Sequence, residues 1–259
     1  MRRQETLNKL DLKAIWHVIQ RNYMSFTKML KISIFPNLFD PLLYLAAMGV
    51  GLGHFVGTVN GMPYLTFVTL GLVAATAMNA ANAESTVNAY IMMRMDKTYY
   101  EMSTGPISLP DIIIGQAIWS GIRASFFGTL FLVIALILGT VHSWLALLIP
   151  LVLFVLGILF GFLGLTFALL APTRDYLNYY GMLLIQPMYM FSNTFFPTNS
   201  LAPWLQKITW FSPLTHAVAI IRSLATNGLF LTGDFVWLIV VMFILSLPPV
   251  LIVEKKINY

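Results

Sequence analysis

The chain has 259 residues, 58% of them hydrophobic and 10% charged, with a formal net charge of +5. Its mean hydropathy of +0.79 is more than a water-soluble domain of this length needs, so a polytopic membrane protein is expected. Cysteine is absent, which excludes a disulfide framework, a thiolate metal site and a cysteine nucleophile.

Seven of the fifteen Lys and Arg residues precede Pro36, where they suit anionic lipid head groups rather than nucleic acid. Arg2 and Arg3 resemble the basic start of a secretion signal, but polar sequence follows them, so no cleavable signal is expected. Residues 11–31 read as an amphipathic helix. Leu12, Ile15, Trp16, Ile19, Tyr23, Phe26 and Leu30 recur at steps of three and four, opposite Lys13, His17, Gln20, Arg21, Lys28 and Lys31. This fits a helix lying in the membrane interface, the other reading being a helix packed on a soluble partner.

The first span is expected at 36–55, close to the ~20 residues a bilayer requires. Asp40 stands near its start, where a carboxylate suits a helix N-terminus. Gly49, Gly53, Gly57 and Gly61 follow four apart, compatible with a close-packing helix face or with a turn at Gly61-Met62-Pro63. The second span, 64–92, carries Asn79, Asn82, Glu84, Ser85, Thr86 and Asn88. Two readings stand for these groups: the wall of a substrate pathway, or hydrogen bonding between helices.

A polar island then separates two apolar runs. It holds Arg94, Asp96, Lys97, Glu101 and Asp111, and its helix-sized piece, 96–103, is stopped by Gly105-Pro106. The third span, 112–138, contains Arg123, for which Glu84 is the candidate ion partner. The fourth, 144–170, carries Gly157, Gly161 and Gly164, a second close-packing face. The fifth, 176–196, holds Gln186-Pro187, a site for a kink. Between it and the sixth span, 235–253, lie two short amphipathic helices, with Trp204 and Trp210 suited to the interface and Ser212-Pro213 as a helix start. These are too short to cross and read as re-entrant or interfacial.

With six spans both termini share one side, which receives twelve of the fifteen basic residues, so that side is expected to be cytoplasmic. The sequence holds no Gly-Lys dipeptide and hence no phosphate-binding loop of the G-x-x-x-x-G-K-[ST] kind; H-E-x-x-H and G-x-S-x-G are also missing. His17, His54, His142 and His216 lie in separate segments.

Three stretches together resemble a known family. They are Lys97-Thr98-Tyr99-Tyr100-Glu101-Met102 with Thr104-Gly105-Pro106 and Asp111-Ile112 to Gly115-Gln116; Ser192-Asn193-Thr194-Phe195-Phe196-Pro197; and Ser212-Pro213-Leu214-Thr215-His216 with Arg222. In order and spacing they are similar to the permease subunits of type-2 ABC exporters, particularly the nodulation-type lipooligosaccharide exporters. Asn193 replaces the usual glycine of S-G-T-F-F-P, and Gln116 stands where an acidic residue is common.

The resemblance implies a single all-α membrane domain, 1–259, of six transmembrane helices. It implies a connecting helix at the N-terminus, a coupling helix at 96–105 seated in an ATPase, and outer re-entrant helices at 197–228. Asp96, Lys97, Tyr99, Tyr100, Glu101 and Met102 would couple to the ATPase. Asn79, Asn82, Glu84, Asn88, Arg123, Gln186 and Asn193 are the candidate pathway residues. Phe195, Phe196, Trp204, His216 and Arg222 are the candidate outer gate. Two permeases, expected to be identical, and two ATPases would form a transporter in a bacterial cytoplasmic membrane, with ATP and Mg bound by the partner chains and none by this one. The implied cargo is amphipathic: a lipid-linked saccharide, a lipid or a hydrophobic drug. Competing readings are a gradient-driven transporter or channel using Glu84, Arg123 and Asp40, and an intramembrane enzyme using His216 and Arg222.

Overall fold

Long apolar runs with no water to satisfy their backbone fold as helices, and helices dominate this chain. The computed structural model describes residues 10–257; Arg2, Arg3 and Lys9 lie outside the described residues, as do the side chains of His54, Glu254 and Lys256.

Helix α1 runs from Leu12 to Tyr44, capped by the Asp11 carboxylate, which accepts from the Lys13 N–H at 2.9 Å. It continues through wide π turns at Leu45–Leu52 and a last turn at Gly53–Val56. The expected break between an interfacial helix and the first span is absent: α1 passes without interruption through Pro36 and Pro41. Asp40 is therefore inside a helix rather than at a helix start, and it is exposed. A two-stranded hairpin follows, β1 (Thr58–Val59) against β2 (Met62–Pro63). Asn60 and Gly61 both have positive φ, +50° and +79°, as a tight two-residue hairpin turn requires. Gly57 and Gly61 thus serve the turn, while Gly49 lies in the helical part and faces Leu65.

Helix α2 comprises Tyr64–Ala83 and continues through π turns at Glu84–Asn88 and Ile91–Met95. It is the most enclosed long helix, surrounded by α4 (Leu109–Ile137), α5 (Ile149–Leu170) and α8 (Pro213–Thr226). Between α2 and α4 sits α3, Thr98–Thr104. The most extensive packing is α4 on α5. Glycine makes that approach close: a Cβ on Gly161 would lie 3.1 Å from the Ala117 backbone, and one on Gly157 would collide with Ala124. Gly164 likewise admits Ser85 of α2.

Helix α6 is built from Tyr176–Tyr180, π turns at Gly181–Ile185, and Gln186–Phe191. Then come α7 (Pro203–Trp210), α8 (Pro213–Thr226) and α9 (Thr232–Ile257). Among the described residues, five helical stretches are long and apolar enough to cross a membrane: Leu12–Gly49, Tyr64–Met95, Leu109–Ile137, Trp144–Leu170 and Thr232–Val253. The expected fifth span, 176–196, is not among them. Its helical part ends at Phe191, and 176–191 rises only about 24 Å at ~1.5 Å per residue, against a hydrocarbon core of roughly 30 Å. The fold is thus an all-α, multi-pass membrane architecture with two apolar cores. One is centred on α2, α5 and α8, and the other on α3 and the adjoining ends of α2, α4 and α5.

Candidate functional site

The polar island folds as a small handle. Lys97 takes a left-handed conformation, φ +53°, and turns the chain out of α2 into α3. The Ser103 and Thr104 hydroxyls donate back to the carbonyls of Tyr100 and Glu101 at 2.8 and 2.7 Å, and the helix stops at Gly105. Tyr99 points inward and is only 1% exposed. Burial pushes its phenol above the ordinary tyrosine range; the Glu84 charge adds to this and Arg21 partly offsets it. Asp96, Lys97, Tyr100 and Glu101 are exposed and Met102 is half-buried. Tyr99 is accordingly the anchor of the handle, and the other expected coupling residues form its outward surface.

Ser108 and Asp111 form a reciprocal capping box at the start of α4, with Ser108 Oγ donating to Asp111 Oδ2 at 2.6 Å. The other oxygen of Asp111 accepts the Asp11 N–H at 3.1 Å, so one carboxylate ties the start of α1 to the loop behind α3.

Deeper in the bundle, Glu84 and its candidate partner Arg123 form a buried ion pair. The pair belongs to a longer relay. Asn22 of α1 donates to Gln116 Oε1 at 2.7 Å, and Gln116 donates to Glu84 Oε1 at 3.0 Å. Glu84 Oε2 accepts from Asn88 at 2.8 Å and from Arg123. The Arg123 guanidinium also lies 5.2 Å from the Phe26 ring and 5.6 Å from that of Phe127. Five polar side chains thus join α1, α2 and α4 where hydrocarbon would otherwise leave them unsatisfied. The sequence reading did not place Asn22 here. Its signal was a polar residue four positions after Val18 and seven after Ile15, on the face α1 buries.

The other two motifs meet at the far end of the bundle. Ser192 and Ser212 share a hydrogen bond at 2.6 Å. Arg222 Nη2 donates to the carbonyls of Phe67 at 2.8 Å and Asn193 at 2.5 Å, and its guanidinium lies 3.5 Å over the Phe67 ring. Asn193 has φ +62°, which accounts for glycine as the usual residue there; asparagine is among the side chains that tolerate this conformation best. Phe195 is buried between Tyr44 and Tyr189, with ring centroids 5.7 and 5.3 Å away. His216 bonds Asp234 through Nδ1 at 2.6 Å and the Trp210 carbonyl through Nε2 at 2.7 Å. Of the expected gate residues, Phe195, His216 and Arg222 are buried in this cluster, while Phe196 and Trp204 are exposed beside it.

The expected pathway residues divide. Glu84 and Arg123 are buried in the relay, and Asn82 and Asn193 are half-buried. Asn79, Asn88 and Gln186 are exposed, as is Asp40. Contact between the Tyr44 and Tyr189 rings, 5.6 Å apart, sets the end of α1 beside α6, so Asp40 and Gln186 belong to neighbouring elements. No group of three metal-ligating side chains occurs among the described residues.

Comparison with known proteins gives a consistent picture. The family model for the ABC-2 type transporter matches residues 13–225. Nodulation protein J of Rhizobium leguminosarum bv. viciae is 38% identical over 214 residues, covering 82% of this chain and 81% of that protein. Nodulation protein J of Rhizobium meliloti is 36% identical over 212 residues, covering 82% and 79%. The inner membrane transport permease YadH of Escherichia coli is 24% identical over 210 residues, covering 80% of each chain.

Proposed function

We propose that this chain, which belongs to the ABC-2 type transporter family, is the permease subunit of an ATP-driven exporter whose ATPase is a separate chain. The observation that carries this reading is α3. It is a seven-residue helix pinned inside by Tyr99 and offering Tyr100 and Glu101 outward, on a chain whose sequence has no phosphate-binding loop. Such a handle gives a motor protein something to grip and the permease a rigid route inward.

In the proposed assembly two copies of this chain and two ATPases operate together. ATP-driven closure of the motor pair pushes α3, and the Asp111 and Glu84 contacts pass the displacement to α1, α2 and α4. In this reading α6 is a short sixth crossing, its shortfall against the hydrocarbon thickness met by local thinning of the bilayer, with α7 and α8 as re-entrant outer helices and both termini cytoplasmic. The distribution of basic residues supports that orientation. The cargo is amphipathic and passes between the two copies. Exposed Asp40, Asn79 and Gln186 support this route, since lipid is a poor neighbour for each of them. The name of one relative, an inner membrane transport permease, supports transport across a bacterial cytoplasmic membrane, and the resemblance of the three motifs to nodulation-type exporters supports export of a lipid-linked saccharide or similar cargo. A gradient-driven mechanism draws less support, because the Glu84 carboxylate is already engaged by Arg123, Gln116 and Asn88.

The test is co-purification. Tagged protein extracted in mild detergent from its native membranes should retain ATP hydrolysis on the affinity resin through a bound ATPase chain. The double substitution Tyr100→Ala/Glu101→Ala should abolish that hydrolysis while leaving the melting temperature of the permease unchanged. Undiminished ATPase retention in the variant would overturn the assignment of α3.

A further inference from the structure

The His216 ring sits between two acceptors. Asp234 Oδ1 faces Nδ1 at 2.6 Å, and the Trp210 carbonyl oxygen faces Nε2 at 2.7 Å. A carbonyl oxygen can only accept, and a carboxylate can only accept unless it is protonated. Both bonds form together only when the His216–Asp234 pair holds two protons, as imidazolium with carboxylate or as imidazole with carboxylic acid. With one proton fewer, a neutral ring retains a single N–H. The carboxylate is the stronger acceptor and keeps it, and a bare nitrogen lone pair is left against the Trp210 carbonyl, which repels it.

The location gives this proton count a mechanical meaning. Trp210 is the last residue of α7, His216 lies in the first turns of α8, and Asp234 lies in the first turn of α9. The ring stacks on Trp237 of α9 with centroids 4.1 Å apart and meets the edge of Trp210 at 5.4 Å. One imidazole therefore fastens three helices. Its side chain is 6% exposed while that of Asp234 is 31% exposed, so the carboxylate is the route by which a proton reaches or leaves the pair.

We infer that His216, Asp234 and the Trp210 carbonyl form a proton-operated latch. With two protons bound it pins the end of α7 to α8 and α9, and loss of one proton to water frees α7.

The surroundings contain little else that titrates. On α8, Arg222 is held by the Phe67 and Asn193 carbonyls. Lys207 on α7 is exposed. On α2 the span Tyr64–Ala83 contributes only Tyr64, whose hydroxyl donates to the Phe195 carbonyl. The α5 helix and the turn before it, Trp144–Leu148, carry no ionisable residue, and His142 is exposed near the other end of α8, where its N–H donates to the Ala225 carbonyl. Glu254, Lys255 and Lys256 lie at the opposite end of α9. A second tie, from Thr215 Oγ1 to the Thr209 carbonyl at 2.7 Å, does not depend on pH and keeps α7 near α8 after the latch opens. Release is therefore a loosening of 203–211, not a loss of fold. In the orientation proposed above, this end of the bundle meets the external medium, so the latch reads the acidity outside the cell.

Amide hydrogen exchange on the full-length protein in lipid nanodiscs tests the inference. Rates would be corrected for intrinsic exchange, from about pH 5 to about pH 9, the interval that brackets histidine titration. Protection of 203–211 should fall roughly tenfold or more as pH rises, the factor expected for one hydrogen bond from a charged donor. Protection of the α2 core should stay constant. His216→Gln should show the low value at every pH, and Asp234→Asn, whose amide can donate to a bare Nδ1 while Nε2–H serves the Trp210 carbonyl, should stay protected across the range. A flat wild-type profile, or the same fall in His216→Gln, would overturn the latch. If His216→Gln also loses α2 protection it has misfolded, and the wild-type profile with Asp234→Asn then decides. The readout needs neither ATPase nor cargo, so its failure would leave the exporter reading intact.

Discussion

Gln116 shows why a single polar residue can be dictated by its neighbours. It must donate to Glu84 and accept from Asn22 in the same place, and an amide can do both. An ionised acid at 116 would set a second negative charge against Glu84 and leave Asn22 as its only donor. Glu84 in turn balances Arg123, which makes the pair costly to break from one side. Glu84→Ala should destabilise the purified protein by about 3–5 kcal/mol, because it strands a buried guanidinium. The double variant Glu84→Met/Arg123→Met should recover most of that loss in a thermal melt in detergent. If the double variant is no more stable than the single one, the pair is not the centre of the relay. At this scale the sequence was partly legible: an intramembrane carboxylate and an intramembrane arginine find each other because each is expensive alone. Asn22 was not, since a period-based reading of 11–31 sorted residues into a polar and an apolar face and had no category for a polar side chain buried against another helix.

Among the elements, the apolar runs were read from hydropathy and the close-packing face of α5 from the spacing of Gly157, Gly161 and Gly164. Both follow from local chemistry, a bilayer-length apolar run and a four-residue period. The boundaries that differed depend on tertiary context instead. A separate span starting at 36 is not formed, because a proline within a helix is tolerated when neighbours satisfy the carbonyl it frees. Of the two readings of the glycine series, the turn at Gly61 is the one that forms, and Asn60-Gly61 is its sharpest local signal. The truncation of α6 is set by Asn193 and its contact with Arg222, 29 residues further on, which no local pattern announces. The glycine face yields a sharp expectation. Gly161→Leu must push α5 off Ala117 and Ser120, and overpacking of this kind costs roughly 1–3 kcal/mol or more. Gly181, with no atom in reach of an added Cβ, should accept alanine with little change. Equal melting temperatures for Gly161→Leu and wild type would show that α4 and α5 have slack the structure does not suggest.

For the molecule as a whole, the least enclosed long helices are α1 and α9. One of them, α1, also carries an exposed carboxylate. If the proposed pair of copies meets along α1 and α6, residues near the two-fold axis lie beside their own counterparts. The chain has no native cysteine, so a single substitution reports without background. Gln186→Cys should form a disulfide-linked dimer in native membranes on mild oxidation, whereas Leu251→Cys, on the exposed side of α9, should not. Efficient cross-linking at Leu251→Cys with none at Gln186→Cys would move the interface to α9. Membership in the transporter family was legible because its motifs are contiguous stretches. That the second and third motifs are one cluster was not, for only the fold brings Ser192 to Ser212 and Asn193 to Arg222.

The unbroken course of α1 has a mechanical consequence. Pro36 and Pro41 each lack an N–H, so the rungs at those two points carry no backbone donor to lose when the rod flexes. The carbonyls left without their usual partner are those of Ile32 and Asn37, and the Asn37 side chain adds a donor one residue along, to the Ser33 carbonyl at 2.8 Å. Bending there breaks fewer bonds than bending elsewhere, and compliance is concentrated within two turns. The stretch before Pro36, fastened to α4 through Asn22 and Asp11, then works as the long arm of a lever. The stretch after Pro41, reaching Tyr44 beside Phe195, is the short arm, and a tilt at one membrane face is delivered to the opposite one without unfolding a residue between them.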